Sequence, residues 1–336
     1  MLPEGPAPLW CPPVTHYDED GGVDAARTRA HLRHLARWVG GLLVPGSTGD
    51  GWQLNPGQVR EVVGLAMEVA AERGLRVWVG VLQAERESIL EGLREMADWL
   101  VPGTAGRRRL EALENRRICG FTVCPPSGSD LTQEEIEDAL RAFLSTGLPI
   151  ALYQLPQVTG NELAPAGFAR LAGDFPNLMF FKDTSGVDRV ARSGIDMAGI
   201  FSVRGAEGGY GNWLRKNGGP YDGFLLSTAN GFAHQLAAIF RGTTEGPPEA
   251  GVLSADALSV LVGEIFGAVS KVPEGNAFAN AAKAVDHFMA HGSRARHRPP
   301  PILHSGARLD EGLILQVGDL LSARGVVPEE GYLRMR

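Results

Sequence analysis

Lysine is scarce in this chain, in which only four of the 32 basic residues are lysines. One of them, Lys182, ends the apolar run 178–181. Arginine stays protonated and cannot act as a nucleophile, whereas a desolvated lysine can lose its proton and attack a carbonyl to form a Schiff base. Lys182 is therefore a candidate for covalent catalysis. The alternative is a lysine that ends an edge strand and extends to solvent.

An excess of positive charge is also lacking, since the net charge is −7 and the isoelectric point is about 5.7. Phosphate binding needs a concentrated positive field, so nucleic acid and anionic membranes are excluded as main partners. The densest basic run, Arg107-Arg108-Arg109, lies beside glycines and is expected to be a solvated loop.

Cysteine is rare, and the odd set Cys11, Cys119 and Cys124 excludes a disulfide framework and predicts reduced core thiols. No apolar stretch approaches the roughly 20 residues of a membrane span. The N-terminal residues lack a basic flank and a hydrophobic signal region, so we expect a cytoplasmic protein.

A metal site is not expected either. The pairs His31/His34 and His287/His291 have helical spacing but no third ligand nearby in sequence. We expect these histidines at the surface or at an interface, and we expect no metal and no cofactor.

What the chain does have is a repeated alternation of short apolar runs and longer amphipathic stretches up to about residue 242, which is typical of successive strand-helix units. With 44% hydrophobic residues it can bury a large core. The candidate strands are Leu9–Pro12, Gly41–Pro45, Val77–Leu82, Cys119–Cys124, Pro149–Tyr153, Leu178–Lys182, Ile200–Val203 and Gly223–Leu226.

Eight such units predict an α/β fold, a (β/α)₈ TIM barrel, whose catalytic residues gather at the carboxyl ends of the strands. Lys182, Tyr153, Ser47 and Thr48 all lie at such ends. A doubly wound open sheet is the competing architecture, but no Gly-rich dinucleotide fingerprint follows the first strand.

After residue 242 the pattern changes to a Gly/Pro-rich connector, 242–251, and three helical stretches near 254–270, 276–291 and 310–324. We predict a catalytic barrel over residues 1–245 and a helical C-terminal extension over residues 246–336, packed on the barrel. The Arg/Pro-rich segment 293–301 is expected to be an exposed link.

The segment Gly46-Ser47-Thr48-Gly49-Asp50 offers two hydroxyls, free backbone amides and glycines that let a ligand approach. An anion such as a carboxylate can be held by these groups without a basic side chain. The alternative is an ordinary Gly/Ser/Thr turn.

Tyr153 closes a predicted strand and continues as Tyr153-Gln154-Leu155-Pro156. Its phenol either caps the core or, beside a lysine amine, moves protons during imine formation through a relay that includes Ser47.

Together these segments resemble the family of dihydrodipicolinate synthase and N-acetylneuraminate lyase, the Schiff-base-forming class I aldolases. The family's Gly-Ser/Thr-Thr-Gly-acidic loop appears at 46–50, its Tyr-x-x-Pro motif with Thr-Gly at 153–160, and its lysine strand at 181–186. The resemblance covers about residues 8–290.

The resemblance implies a catalytic set of Lys182, which attacks a 2-oxo acid such as pyruvate, Tyr153 as general acid and base, and Ser47, which orients Tyr153. It also implies an aldehyde or sugar-acid partner and a homo-oligomer, dimer or tetramer. The substrate-binding residues that it implies are Gly46, Thr48, Thr184, Glu207, Leu225 and Ser227.

Three departures from the family pattern bear on the substrate. Dihydrodipicolinate synthases usually have Pro-Tyr-Tyr where this chain has Pro125-Pro126-Ser127, and an arginine where it has Val158. The connection 101–117 is longer than usual. The loop at 46–49 and Thr184 look closer to the sialic-acid lyase and sugar-acid branches.

Several alternatives remain open. The chain can be an authentic dihydrodipicolinate synthase, a keto-deoxy sugar acid dehydratase, or a non-catalytic homologue that binds a 2-oxo acid. Glu207 is either a substrate ligand or a solvated carboxylate, and Trp52 either lines the pocket or packs in the core.

Overall fold

The computed structural model describes residues 7–242 and 251–333, and it contains a closed barrel of parallel strands that pair in chain order. All eight predicted strands are present, and the barrel prediction is confirmed. The strands are β1 (Leu9–Cys11), β2 (Gly41–Val44), β3 (Arg76–Gly80), β4 (Ile118–Val123), β5 (Ile150–Gln154), β6 (Leu178–Asp183), β7 (Phe201–Arg204) and β8 (Gly223–Leu225).

Helices cover the outside of the barrel and continue beyond it. They are α1 (Ala25–Leu35), α2 (Pro56–Arg73), α3 (Arg86–Leu100), α4 (Gly106–Asn115), α5 (Gln133–Leu144), α6 (Pro156–Thr159), α7 (Pro165–Asp174), α8 (Arg189–Arg192), α9 (Ala229–Arg241), α10 (Ala255–Val269), α11 (Ala277–His291) and α12 (Glu311–Ala323).

The barrel interior is filled by alternate side chains of all eight strands. This cluster includes large rings, and Phe180 lies 5.3 Å from both Trp10 and Trp78, measured between ring centroids. Gly41 leaves the space that Trp10 needs, since a Cβ on it would lie 2.1 Å from the Trp10 ring. Packing of this kind closes the lower barrel and leaves the carboxyl ends of the strands for ligands.

Local sequence signals fix where some outer helices begin. Asn55 caps α2, with Pro56 at the first helical position and Gln58 completing a capping box. Thr132 and Glu135 form the same arrangement at the start of α5. Each box satisfies backbone N–H groups that the first helical turn leaves unpaired.

The C-terminal helices α10, α11 and α12 contact one another, and α11 also contacts α9 and the 3₁₀ turn Ser47–Gly49. The boundary predicted between residues 245 and 246, like most of the connector 242–251, lies outside the described residues and stays a prediction. Within the described ranges, no helix is long and apolar enough to cross a membrane.

Two sequence predictions are wrong, and a third is confirmed only in part. Arg107–Arg109 belong to α4 rather than to a loop, because Leu113 is buried and Arg107 pairs with Glu111 one turn later. Segment 293–301 is mostly exposed but is not a plain link, since it contains a 3₁₀ turn, Gly292–His297. His31 and His287 are buried instead of lying at the surface. Their partners come from distant segments.

Candidate active site

Lys182 and Tyr153 lie side by side at the carboxyl end of the barrel. The two residues are paired in the register of β5 and β6, and both point into the interior cluster of side chains. The Lys182 Nζ atom lies 3.9 Å from the centroid of the Tyr153 ring. Lys182 is only 4% exposed, so it does not extend to solvent from an edge strand.

Burial sets the protonation of this lysine. Loss of hydration lowers the pKa of Lys182 to about 7, while Cys124, Cys11 and Glu207 act weakly in the opposite direction. Among the described residues, Lys182 forms no ion pair with a carboxylate that would stabilise its protonated form. A substantial fraction of neutral amine is therefore present near neutral pH, as a nucleophile requires.

Burial favours the protonated form of the Tyr153 phenol, whereas it favours the deprotonated form of the Lys182 amine. Burial raises the pKa of Tyr153, Cys124 adds to this effect, and the nearby Thr184 hydroxyl opposes it. Tyr153 is thus a protonated phenol that can donate to a developing oxyanion or amine. Apart from this approach to Tyr153, the buried Thr184 hydroxyl has no hydrogen-bond partner among the described residues.

Gly205, which follows β7, leaves room for the amine. A Cβ at this position would lie 3.0 Å from Lys182 Cε and 3.0 Å from Thr184 Oγ1. The sequence reasoning did not single out Gly205, since its importance depends on side chains from another strand.

The segment 46–50 forms a buried 3₁₀ turn, Ser47–Gly49, directly after β2. Gly46 precedes the turn and leaves space for Pro12, since a Cβ on Gly46 would lie 2.8 Å from the Cβ of Pro12. Thr48 is 5% exposed. The turn stands at the same end of the barrel as Lys182, as the strand order requires.

Ser47 does not pair with Tyr153 in the described part of the chain. Its partner is Asn276, the N-cap residue of α11, whose Nδ2 donates to Ser47 O at 3.1 Å and to Ser47 Oγ at 3.3 Å. The expected role of Ser47 in orienting Tyr153 therefore stays a prediction.

Asp50, the last residue of the segment, binds a second residue of α11. Lys283 Nζ donates to Asp50 Oδ2 at 3.2 Å, and Tyr17 donates to the same oxygen at 2.9 Å. Lys283 is 2% exposed and was not noticed in the sequence. The signal that marked Lys182, a lysine in an arginine-rich chain, applies equally to Lys283.

Glu207 is a half-buried carboxylate rather than a freely solvated one. It accepts hydrogen bonds from Thr228 Oγ1 at 2.7 Å, Tyr210 at 2.9 Å and Ser227 Oγ at 3.3 Å. Burial raises the pKa of Glu207 although these hydrogen bonds oppose the change. The charge of Glu207 also acts to raise the pKa of Lys182.

The backbone that carries Glu207 is held by a buried ion pair. Arg204 makes two hydrogen bonds to Asp188, of 3.0 and 3.1 Å, and its Nη1 donates to the carbonyl oxygen of Glu207 at 3.3 Å. Pairing of this geometry fixes the direction of a loop as well as its distance from the barrel.

The other predicted substrate-binding residues lie around this centre. Leu225 is buried in the barrel interior on β8. Ser227, two residues later, donates a hydrogen bond to Glu207. Trp52 packs against the interior cluster with its Nε1 buried and without a partner among the described residues, so it is both packed and available to a ligand. Cys11 and Cys124 are free and buried, as expected.

A separate buried cluster brings His16, His31 and Asp286 within reach of one point, a set of donors that a metal ion can use. Arg27 already pairs with Asp286 at 2.5 Å, and His16 and His31 hydrogen-bond each other at 3.1 Å. Burial acts to raise the pKa of Asp286, but His31 and Arg27 hold it well below its usual range. The carboxylate thus has its cation, and the cluster does not suit a divalent metal.

Comparison with known proteins agrees with the family recognised above. The model of the dihydrodipicolinate synthetase family matches residues 117–272. A 4-hydroxy-tetrahydrodipicolinate synthase from Synechococcus sp. (strain CC9605) is 31% identical over 183 residues, 52% of each chain. A probable 5-dehydro-4-deoxyglucarate dehydratase from Saccharopolyspora erythraea is 30% identical over 190 residues, which cover 54% of this chain and 52% of the relative. The chain therefore spans about half the length of the curated relatives it matches.

Solved structures show the same fold over nearly the whole chain. YagE, a dihydrodipicolinic acid synthase family protein from E. coli K12 in complex with pyruvate, superposes with a TM-score of 0.72 at 18% identity, covering 95% of this chain and 98% of that one. A 2-keto-3-deoxygluconate aldolase from Sulfolobus gives a TM-score of 0.68 at 15% identity, with 94% and 96% covered. Residues 117–272 thus match the model of the dihydrodipicolinate synthetase family, and the chain has the fold of that family's solved structures, in agreement with the resemblance seen in the sequence.

Proposed function

We propose that this protein is a Schiff-base lyase or aldolase in which Lys182 forms an imine with pyruvate or another 2-oxo acid. The observation that carries the proposal is the position of Lys182. It is a buried amine at the carboxyl end of β6, its pKa is lowered to about 7, and it lies against Tyr153. These are the conditions under which a lysine attacks a ketone.

In the proposed reaction, neutral Lys182 adds to the keto carbon to give a carbinolamine. Tyr153 donates a proton to the developing oxygen and assists its loss as water. The protonated imine then acts as an electron sink, so that a carbon–carbon bond beta to it forms or breaks through an enamine. Thr48, Ser47 and the amides after Gly46 hold the carboxylate of the 2-oxo acid.

Glu207 supports a hydroxylated partner rather than a diacid. Its carboxylate, with Ser227 and Thr228, provides hydrogen-bond acceptors and donors suited to substrate hydroxyls. Val158, which is 45% exposed, stands at the position where dihydrodipicolinate synthases usually have an arginine. That arginine binds the carboxylate of their second substrate. We therefore favour an aldehyde or sugar-acid partner, with the protein acting as a homo-oligomer.

The decisive experiment is reductive trapping. Protein is incubated with pyruvate and borohydride, and its intact mass is compared with that of Lys182→Arg. The control is Lys271→Arg, which changes an exposed lysine at the end of α10. Wild type and Lys271→Arg should gain the mass of one reduced adduct, and Lys182→Arg should gain none. Equal labelling of Lys182→Arg, or no labelling of wild type, rejects the proposal.

Product analysis separates the two reactions that share this imine. An aldol lyase condenses pyruvate with an aldehyde and releases pyruvate from a keto-deoxy sugar acid, whereas a dehydratase expels water from the sugar acid. Assays with pyruvate plus an aldehyde panel, and with a panel of sugar acids, distinguish them by the product formed.

A further inference from the structure

The α11 segment contacts the turn 46–50 at two points, Ser47 near its start and Asp50 at its end. The amide of Asn276, at the start of the helix, donates to the carbonyl and hydroxyl oxygens of Ser47. Two turns further along, the ammonium of Lys283 donates to the carboxylate of Asp50. These contacts join residues 229 and 233 positions apart in the chain.

The segment is held only in part by its own hydrogen bonds, which run from the amides of Gly49, Asp50 and Gly51 to the oxygens of Gly46 and Ser47. Its 3₁₀ turn comprises three residues, and Asp50 adopts a left-handed backbone conformation with φ of 60°. Aspartate tolerates this conformation better than most residues other than glycine, and surrounding contacts help to hold it there. Thr15 supplies one such contact by donating to Gly49 O at 2.7 Å, and Tyr17 supplies another by donating to Asp50. Asn276 and Lys283 of the α11 segment supply two more.

The Lys283–Asp50 pair is an expensive way to stabilise a fold. Lys283 is 2% exposed, and burial of an ion pair costs hydration that its attraction often fails to recover. The same ammonium lies 4.5 Å from the centroid of the Tyr17 ring, and Tyr17 also donates to Asp50. This arrangement defines the position of Asp50 from two directions.

We propose that α11 is a clamp for the carboxylate-binding turn, with Asn276 and Lys283 as positioning residues for 2-oxo acid binding. This inference rests on the function proposed above. Neither residue touches the reacting carbon. They set the positions of the Ser47 and Thr48 hydroxyls and of the Thr48 amide, so the helical extension completes a site whose chemistry lies in the barrel.

Asn276→Ser tests the first contact. Serine keeps an N-cap oxygen for α11 but is too short to donate to Ser47. The matched control is Asn177→Ser, which removes an amide that bonds two carbonyls, Leu144 O and Leu148 O, at the opposite end of the barrel. For each protein, the borohydride trapping rate is measured as a function of pyruvate concentration.

Lys283→Met tests the second contact. Since it leaves the Asp50 carboxylate buried without its cation, the double variant Asp50→Asn/Lys283→Met is made as well. The double variant removes both charges and keeps an oxygen for Tyr17, and it provides the comparison if the single variant does not fold.

The clamp predicts that the pyruvate concentration for half-maximal trapping rises about 10-fold or more in the α11 variants, since small misplacements of binding groups carry costs of this size. The rate at saturating pyruvate should stay within about 3-fold of wild type, and Asn177→Ser should change neither quantity. An unchanged half-saturation, an equal rise in Asn177→Ser, or a loss confined to the saturating rate overturns the clamp.

Hydrogen exchange gives a readout independent of catalysis. The amides of Gly49, Asp50 and Gly51 bond to oxygens within the same turn, and they should exchange faster in Asn276→Ser than in Asn177→Ser. Unchanged exchange overturns the clamp. If wild type forms no pyruvate adduct, the proposed function fails, and the exchange result alone decides whether the clamp exists.

Discussion

The nitrogen of Lys182 lies 3.9 Å from the centroid of the Tyr153 ring, on neighbouring strands whose register pairs the two residues. Two consequences follow from this contact. The ring helps to remove water from the amine, which lowers the pKa of Lys182. In the proposed reaction, the same contact keeps the phenol of Tyr153 close to the amine that attacks the ketone.

The rate of pyruvate trapping should depend on pH, with a midpoint near the pKa of Lys182. Because burial lowers the pKa of Lys182 to about 7, the reactive neutral amine is scarce at pH 5 and abundant at pH 8. The initial trapping rate at fixed pyruvate should therefore rise through this range and level off above it, measured with cyanoborohydride as the reductant. A midpoint near 10 would show that the amine is solvated.

Lys182→Met should abolish trapping and stabilise the fold. The pKa of this amine is 10.5 when unfolded and about 7 when folded, so the native state loses stability as the pH falls from 10.5 towards 7 and stays at its lowest below 7. The gain in unfolding free energy should be about 2 to 3 kcal/mol larger at pH 6 than at pH 9. Urea unfolding of both proteins measures it, and a gain that does not depend on pH contradicts the pKa shift.

Tyr153→Phe should lower the turnover number by about 100-fold or more, the usual contribution of a positioned acid–base group. The aromatic ring remains against Lys182, so the pH midpoint of trapping should not move. Tyr221→Phe is the control, because this hydroxyl bonds Asp183 and Asp188 rather than facing the amine. An equal loss in both variants would assign the effect to general destabilisation.

Gly205→Ala should slow imine formation about 10-fold, since its Cβ would lie 3.0 Å from Lys182 Cε and Thr184 Oγ1 and displace the amine. Gly263→Ala is the control. Gly263 lies on α10, and a Cβ added there would have no other atom within 4 Å. Alanine at this position should stabilise the helix by about 0.5 to 1 kcal/mol. Trapping rates at pH 8 compare the two, and a normal rate in Gly205→Ala would show that the amine has space to spare.

The fold was largely predictable from the sequence because each strand is a short apolar run buried on both faces. Lys182 and Tyr153 were identified for a related reason, since a polar residue that ends such a run lies at the carboxyl end of the barrel. Helix α4 was missed because consecutive arginines obscure its one buried position, Leu113.

The rest of the site depends on contacts between distant segments. Asn276 and Lys283 approach the turn at 46–50 only through the packing of α11, and Gly205 matters only for the side chains opposite it. The burial of His31 likewise comes from Asp286 and Asn230, far along the chain, whereas helical spacing reveals partners within one helix only.

The most direct test of the account is to locate the borohydride-reduced pyruvate adduct by peptide mass spectrometry. The chain has four lysines, and two of them, Lys182 and Lys283, are buried. We predict that the adduct is found on the peptide containing Lys182, and that pyruvate protects this residue from other amine reagents. An adduct on Lys283 or on an exposed lysine, with Lys182 unmodified, would contradict the central claim.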